Sequence, residues 1–402
     1  MIYLDNNATT PIDPEVKEAM LPYLTEEYGN PSSKYYTLAE NAKRAVEESR
    51  AKLADLINAY PDEIIFTSCA SESNNLIIKG IADYKKYIEN KGNHIITSVA
   101  EHKSVLQTCK FLAGYENAVM NKEANRFKPG QRKDKKIDRG YEVSFIPVNS
   151  YGQVEKETLV NTLKDNTILT SIIWGNNEIG TLNQISVLSE LCKFKGVLFH
   201  SDATQVLGKV NIDVKETSVD FLSFSAHKIY GPKGIGACYI RKDKYGLKPS
   251  LTALIHGGSQ EEGYRAGTLA VHNIVGFGKA AEIAKRDMDN YIPRLLEQEK
   301  KLKNALIKNI PNIQFNGHPD EKIPGTISVT IPGINNELFI KKLKEIIALS
   351  TGSACSADEP SYVLESINKG MVTRNTIRLS LSKFSHDNDI KYIIDSLHSL
   401  SI

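Results

Sequence analysis

The stretch Ser223–Gly234, SFSAHKIYGPKG, places a lysine in an unusual setting. Lys228 follows an apolar run that is typical of a strand, with His227 beside it and serines and glycines around it. A lysine that only solubilises a surface does not need these neighbours, whereas a lysine that must lose its proton and bond covalently does. Lys228 is therefore a candidate for covalent chemistry. The alternative for this residue alone is an exposed loop lysine.

A pyridoxal phosphate site needs residue types that this sequence can supply. The site needs a lysine that holds the cofactor as an imine, a carboxylate that keeps the ring nitrogen protonated, and phosphate donors, ideally at a helix N-terminus. Lys228 is the candidate lysine, and Asp202, at the end of the strand-like VLFHSDA, is the candidate carboxylate. Asp202 alone could simply cap the segment that follows it. On adjacent predicted strand ends, however, the two residues together favour the cofactor site.

Strand-like and helix-like segments alternate through most of the chain. The predicted strands, rich in β-branched or aromatic residues, are EIIFTS, HIITSV, EVSFIPV, TILTSIIWG, GVLFHSDA and VDFLSFSA. The amphipathic SESNNLIIKGIADYKKYIEN predicts a helix, with Ser71 or Ser73 available to cap it. This alternation predicts a mainly parallel sheet covered on both faces, with a ligand at the C-terminal strand ends. Polar clusters follow those ends at 68–75, 101–102, 176–178, 202–205 and 225–228.

The pattern changes after about Thr268. NYIPRLLEQEKKLKNALIKNI predicts a long charged helix, and GTISVTIPG, NELFIKKLKEI, TIRLSLS and DNDIKYIIDSLHSL then suggest a smaller α+β unit. We therefore expect a large α/β domain at residues 14–268 and a small α+β domain formed by 1–13 and 269–402.

Composition narrows the range of functions. The 402 residues carry a formal net charge of +2, which argues against bulk nucleic-acid binding by charge alone. We find neither a secretory signal nor an apolar run long enough to cross a membrane. The five cysteines are widely spread without a C-x-x-C pair, so we expect no disulfide framework and no metal site. A reducing cytoplasm fits this pattern and would leave a lone catalytic thiol free.

Ten motifs carry a family resemblance: YLDNNATT, GNPSS, FTSCASESNN, EHKSVL, NNEIGT, HSDATQVLGK, DFLSFSAHKIYGPKGIGACYIR, EEGYRAGT, TGSACS and IRLSLS. The series resembles that of cysteine desulfurases, the NifS/IscS-like branch of the class V aminotransferase family of fold-type I pyridoxal-phosphate enzymes. The motifs occur in the family's order over almost the whole chain, so chance agreement is not credible. The resemblance implies an aspartate-aminotransferase-like α/β fold, with a mainly parallel seven-stranded sheet and a smaller α+β domain.

The resemblance also implies the residues that hold the cofactor. Lys228 would bind it covalently, Asp202 would pair with its ring nitrogen and Gln205 would hydrogen-bond its phenolic oxygen. His102 would stack on the ring and handle protons, whereas without the resemblance it could be a helix-start histidine bonded to backbone. The phosphate donors would be Ala70, Ser71, Ser225 and His227, with Thr268 reaching the cofactor of the other subunit of a homodimer.

Substrate binding and sulfur transfer would involve three more residues. Asn177 and Arg378 would bind the substrate carboxylate, since the planar arginine fork suits it, and Asn177 would also contact the cofactor. A surface ion pair is the alternative for Arg378. Cys355 would be the nucleophile, because its small polar neighbours in STGSACSADEPS predict a loop and not a packed core. The type of loop favours free cysteine over selenocysteine as substrate.

The implied reaction converts L-cysteine to L-alanine and leaves sulfur on Cys355 as a persulfide. An acceptor protein would then collect the sulfur, either a scaffold for iron–sulfur cluster assembly or a tRNA-thiolating enzyme; we expect no direct contact with nucleic acid or membrane. One alternative is another fold-type I enzyme, such as a selenocysteine lyase or an aminotransferase, which would not need Cys355. A second is a non-catalytic docking protein, against which the complete residue set counts.

Three departures from the family pattern leave questions open. Cys69 stands where glycine is usual, so a left-handed backbone there would be strained and we expect an adapted turn. The basic segment Asn121–Gly140 is extra, either a solvated insertion or a docking patch for an acidic partner. The sequence ends with SLHSLSI, without the longer tail of some members. We therefore expect a thiolation enzyme more than the scaffold as acceptor.

Overall fold

A computed structural model gives the fold of the chain. It describes residues 1–115, 137–352, 361–367 and 370–398. Cys355 and most of the basic segment 121–140 lie outside the described residues.

The described strands are short and are spread along the whole chain. They are β1 Ile2–Tyr3, β2 Ile64–Thr67, β3 His94–Ser98, β4 Glu142–Ile146, β5 Thr167–Ser171, β6 Leu198–Asp202, β7 Phe221–Ser225, β8 Gly236–Ile240, β9 Gln314–Asn316, β10 Thr326–Thr330, β11 Ile347–Ala348 and β12 Thr376–Ser380.

The described α-helices lie between these strands. They are α1 Pro14–Met20, α2 Pro22–Thr25, α3 Thr37–Leu56, α4 Ala70–Asp83, α5 Lys103–Leu112, α6 Lys156–Thr162, α7 Ile185–Phe194, α8 Val271–Asn309, α9 Asn336–Leu343, α10 Tyr362–Ser366 and α11 Asp387–His398. In the described ranges, no helix is both long and apolar enough to cross a bilayer.

The main sheet has seven strands in the order β2-β8-β7-β6-β5-β3-β4. Neighbours from β7 to β4 pair in parallel, whereas β8 runs antiparallel to both β2 and β7. The expected mainly parallel seven-stranded sheet, and with it the α/β fold class, is confirmed. Because six of these strands run the same way, their C-terminal ends meet at one edge of the sheet.

Both faces of this sheet are buried, as alternating side chains require. In β2, Phe66 packs into one large apolar cluster and Ile65 into another. Ile96 and Ile95 of β3 divide between the same two clusters. The strands therefore read as continuous apolar runs, which is why they were visible in the sequence.

A third cluster belongs to the C-terminal part of the chain. Leu4 packs there with Val329 of β10 and Leu379 of β12, in a three-stranded antiparallel sheet of order β12-β10-β9. An additional pair, β1 with β11, runs parallel. The start of the chain thus packs with residues from near its end. The boundaries expected at 14–268 and 269–402 stay a prediction.

The long helix α8 links the first and third clusters. Phe277 packs in the cluster of the main sheet, and Leu302 in the C-terminal cluster. The sequence predicted only the charged second half of this helix. The first half carries glycines because the backbone of α3 lies close: a Cβ on Gly278 would stand 2.6 Å from Ser49 Cα. Tertiary packing here overrides the low helix propensity of glycine.

Candidate active site

A cavity of about 250 Å³ lies at the C-terminal ends of β6 and β7. Most of the residues that the sequence singled out line it: Ala70, Ser71, His102, Asn177, Asp202, Gln205, Ser225, His227, Lys228 and Arg378. Residues from five separate segments at the edge of the main sheet therefore meet Arg378, which lies on β12 in the C-terminal part of the chain. Their roles in binding stay a prediction.

Thr268 is not brought to this cavity. It is exposed, on the segment that follows the turn Gln260–Gly263. That turn is fixed by Glu261, which accepts hydrogen bonds from Arg50 Nη1 and Nη2 at 2.8 and 2.7 Å and from Phe66 N at 2.6 Å. A role for Thr268 at this cavity would require a second copy of the chain.

Lys228 ends a single turn of 3-10 helix, Ala226–Lys228, directly after β7. Its Nζ donates to the backbone oxygens of Asn7 and, at 2.8 Å, Ala8. Gln205 Nε2 donates to the same Asn7 oxygen at 2.8 Å. The N-terminal segment therefore forms one wall of the cavity and holds the amine on carbonyl oxygens.

Asp202 is the last residue of β6, and only 4% of it is exposed. Its Oδ1 accepts from Thr204 N at 3.1 Å and its Oδ2 from Asn74 Nδ2 at 2.8 Å. The first of these bonds is the local capping that the sequence left open as an alternative. Asp202 nonetheless lines the cavity together with Lys228. The two readings of this residue are compatible.

His102 also combines the two readings weighed for it. It is the N-cap of α5, where Nδ1 accepts from Ser104 N at 3.2 Å, and it lines the cavity. Burial lowers its pKa, and the positive charges of Lys228 and Lys103 add to this effect, while the charge of Asp202 opposes it. A neutral imidazole is therefore favoured.

The start of α4 differs from what the sequence predicted. Neither Ser71 nor Ser73 caps it: the helix begins at Ala70, its N-cap is Cys69, and no side chain caps it. The backbone of Cys69 is extended, with φ −174° and ψ 169°, so a side chain is accepted there without left-handed strain. An uncapped helix N-terminus at a cavity leaves N–H donors for an anion.

His227 stands beside Lys228 and is tied to the N-terminal segment. Its Nδ1 lies 3.1 Å from Thr9 Oγ1. Burial lowers its pKa to about 4, with the charges of Lys228 and Lys233 contributing. His227 is therefore neutral over the physiological range and can serve as a hydrogen-bonding group.

Arg378 lies on β12 and is only 1% exposed, so the surface ion pair weighed for it is wrong. Its Nη1 donates to the backbone oxygens of Asn177 and Gly352, each at 2.8 Å, and its Nη2 to Asp5 Oδ1 at 2.6 Å. Its Nε is buried and has no hydrogen-bond partner in the described part of the chain. This donor is therefore available to an acceptor on a bound ligand.

Two buried carboxyl groups flank the cavity. Burial raises the pKa of Glu101 to about 8, while Ser98 Oγ and Ile173 N donate to its Oε1. Burial also raises the pKa of Glu178, which lines the cavity and accepts from Ser361 Oγ at 2.5 Å. Ser361 and Gly352 are the nearest described residues on either side of Cys355. Gly352 and Ser361 thus bond to Arg378 and Glu178, respectively, which both line this cavity.

The residues present fit pyridoxal phosphate. Gln205 Oε1, like Arg378 Nε, is buried without a hydrogen-bond partner among the described residues. Ala70 and Ser71, at the uncapped start of α4, line the same cavity as Lys228. An amine, a buried carboxylate, an anion site and unsatisfied polar atoms therefore surround one space.

Sequence reasoning missed the part played by the N-terminal segment. Asn7 and Ala8 line the cavity, and Asn7 Nδ2 donates to Thr326 Oγ1 at 3.0 Å and to Asn177 O at 3.3 Å. The available signal was the polar run DNNATT directly after a strand-like start. This run has no periodicity that would predict its packing partners. The bond from Lys228 to Ala8 places it against residues more than 200 positions away in the sequence.

Comparisons with known proteins identify the family. The sequence model of the family described as aminotransferase class-V matches residues 2–128 and 119–393, so the chain belongs to this family. The chain is 41% identical over 401 residues to cysteine desulfurase IscS of Rickettsia massiliae (strain Mtu5), covering 99% of this chain and 90% of that protein. It is 42% identical over 395 residues to a mitosomal cysteine desulfurase of Encephalitozoon cuniculi (strain GB-M1), covering 98% and 84%.

Solved structures agree with this assignment. A NifS-like protein superposes with a TM-score of 0.85 at 32% identity, covering 99% of this chain and 98% of the other. A structure titled SspA in complex with cysteine superposes with a TM-score of 0.77 at 34% identity, covering 96% and 100%. The predicted family is therefore confirmed.

Proposed function

We propose that this protein is a pyridoxal-phosphate-dependent cysteine desulfurase that converts L-cysteine to L-alanine and transfers the sulfur to Cys355. The observation that carries the proposal is that Lys228, Asp202 and Arg378 line one cavity. The relatives named cysteine desulfurase, and the neighbour whose title names bound cysteine, support the choice of substrate.

The cofactor would be held by residues that line the cavity. Lys228 would bind it covalently, Asp202 would keep a proton on its ring nitrogen, and Ala70, Ser71, Ser225 and His227 would hold its phosphate. When bound, pyridoxal phosphate supplies the electron sink that makes the Cα proton acidic and weakens the bond from Cβ to sulfur.

Substrate binding uses the unsatisfied donor of Arg378. Its Nε and the amide of Asn177 donate to the cysteine carboxylate, which orients the Cα proton towards the amine of Lys228. Once the substrate's amine has taken its place on the cofactor, the freed, unprotonated amine of Lys228 would take that proton as a general base. The carbonyl oxygens of Asn7 and Ala8 hold the resulting ammonium, because they are the acceptors that Lys228 already has.

Sulfur transfer uses the thiolate of Cys355. A bond forms between Cys355 Sγ and the substrate sulfur, the Cβ–S bond breaks, and its electron pair passes to Cβ, which takes up a proton. The products are alanine and a persulfide on Cys355. A sulfur-acceptor protein then removes the outer sulfur.

The protein acts as a homodimer, in which Thr268 of one subunit would complete the phosphate site of the other.

The test is turnover of L-cysteine by the full chain loaded with cofactor, with dithiothreitol present to release sulfide. We expect alanine and sulfide in equal amounts. Lys228→Ala should abolish both products. Cys355→Ser should abolish the persulfide, detected by mass spectrometry without reductant.

A matched control separates Cys355 from the other thiol of the site. Cys69 lines the cavity, so Cys69→Ser removes a nearby thiol and should leave persulfide formation intact. Intact desulfuration in the Cys355→Ser variant, or its loss in Cys69→Ser, would contradict the assignment of Cys355 as sulfur acceptor.

A further inference from the structure

Two polar side chains, the buried Asn74 and the partly buried Ser104, connect Asp202 to His102, although the proposed function assigns neither of them a role. Asn74 Nδ2 donates to Asp202 Oδ2 and to Ser104 Oγ, both at 2.8 Å. Ser104 Oγ lies 2.7 Å from His102 Nδ1. The result is a continuous chain of hydrogen bonds from β6 through α4 to the start of α5.

The orientation of Asn74 is fixed by the charge at one end of this chain. Asp202 accepts a hydrogen bond on each carboxylate oxygen, so the group facing it from Asn74 must be the NH2. The opposite orientation would set two acceptors, the amide oxygen and the carboxylate, against each other. Asn74 is fully buried, and its Oδ1 has no partner in the described part of the chain. The unsatisfied amide oxygen costs free energy, which the two hydrogen bonds donated by Nδ2 offset.

The direction of the remaining bonds follows from this orientation. Because Asn74 donates to Ser104 Oγ, the hydroxyl hydrogen of Ser104 is available for His102 Nδ1. The backbone N–H of Ser104 already points at the same nitrogen, at 3.2 Å. A ring nitrogen that faces two donors carries no proton, so the neutral ring carries its hydrogen on Nε2.

We propose that Asn74 and Ser104 are positioning residues of the active site, which connect the carboxylate of Asp202 to His102 by hydrogen bonds and hold that imidazole neutral with its hydrogen on Nε2. This inference rests on the proposed function for its meaning in the reaction. His102 then offers the cavity a hydrogen-bond donor and no base, so Lys228 alone takes the Cα proton.

The charged groups around His102 are compatible with this assignment. Lys228, on the turn after β7, and Lys103, on α5 itself, disfavour a second positive charge on the ring, and burial acts in the same direction. Asp202, on β6, acts in the opposite direction. The two donors that Ser104 directs at Nδ1 act in the same direction as burial and the lysine charges, because they stabilise the neutral ring.

The test is ¹⁵N nuclear magnetic resonance of histidine-labelled full chain, in cofactor-free and cofactor-loaded form, with His102→Gln used to assign the signal. We expect an unprotonated Nδ1 and a protonated Nε2 at neutral pH. Ser104→Ala removes one donor to Nδ1, so the pKa of His102 should rise by about one unit, which is the effect of one hydrogen bond. Asn74→Ala should also raise it, and should add little in the Ser104→Ala background because the chain is already broken.

The matched control is Ser73→Ala. Ser73 is also fully buried, lies next to Asn74 on α4, and bonds to Thr67 Oγ1 at 2.8 Å, outside this chain. It should leave the His102 signals unchanged. A protonated Nδ1 in the wild-type protein at neutral pH would overturn the inference. It would also be overturned if Asn74→Ala changed the pKa of His102 equally in the wild-type and Ser104→Ala backgrounds. Since the cofactor-free protein suffices, the result is independent of whether cysteine is turned over.

Discussion

Replacing Arg378 by lysine tests how the substrate carboxylate is recognised. The guanidinium already donates to two backbone oxygens and to Asp5, and its Nε alone is buried without a partner among the described residues. Lysine keeps the charge but cannot make these bonds and also present the donor at Nε. The change therefore removes the bond that the structure leaves free for a ligand.

The magnitude follows from that one bond. A hydrogen bond to a charged group contributes about 1.5–3 kcal/mol, which corresponds to roughly a 10- to 150-fold change in binding. We therefore expect the KM for L-cysteine to rise by this factor in Arg378→Lys. Cysteamine lacks the carboxylate, so the preference for cysteine over cysteamine should fall by about the same factor, which a general loss of structure would not produce.

Arg241→Lys is the matched control. Arg241 is likewise bonded to backbone oxygens, those of Val219, Val214 and Thr217, but does not line the cavity. Its replacement should leave both substrates' KM values unchanged. If Arg378→Lys kept the wild-type preference for cysteine over cysteamine, the assignment of Arg378 as the carboxylate site would be refuted.

Three further predictions concern stability and cofactor binding. Burial raises the pKa of Glu101 from 4.5 to about 8, so its contribution to the free energy of unfolding is present below about pH 4.5 and is lost as the pH rises towards 8. In urea unfolding, Glu101→Gln should therefore become more stable relative to the wild type across that pH window, and parallel curves would contradict the raised pKa. Glu261→Gln removes the buried charged partner of Arg50 and leaves it only the more exposed Glu47, so it should lower the free energy of unfolding by about 3 kcal/mol. Exposed Glu297→Gln should cost under about 0.5, and equal losses would be inconsistent with a buried pair. Cys69→Gly should lower stability by about 0.5–1 kcal/mol, because the extended backbone needs no glycine, and should leave cofactor affinity unchanged; a gain in either would mean strain at Cys69.

The sequence predicted six of the seven strands of the main sheet, all but β8, because most of them are buried on both faces and occur as apolar runs. Polar residues after those runs meet at one edge, so Asp202 and Lys228 could be placed together from strand order alone. The start of α8 at Val271 could not be predicted, since Gly276 and Gly278 weaken the helical signal that close packing restores.

Features set by distant packing were also invisible in the sequence. The wall made by Asn7 and Ala8 depends on Leu4 packing in the C-terminal cluster, which no local pattern records. The burial of Arg378 and its bond to Asp5 depend on the same arrangement. The bridge through Asn74 and Ser104 requires two helices to meet at side-chain resolution, and local propensity contains no such information.

The most direct measurement is the site of covalent attachment of the cofactor. The full chain loaded with pyridoxal phosphate is reduced with borohydride, digested, and mapped by mass spectrometry. The phosphopyridoxyl group should lie on Lys228, and Asp202→Asn should weaken cofactor retention without moving it. Attachment to another lysine, such as the buried Lys209, or no attachment at all, would contradict the account of this cavity as the active site.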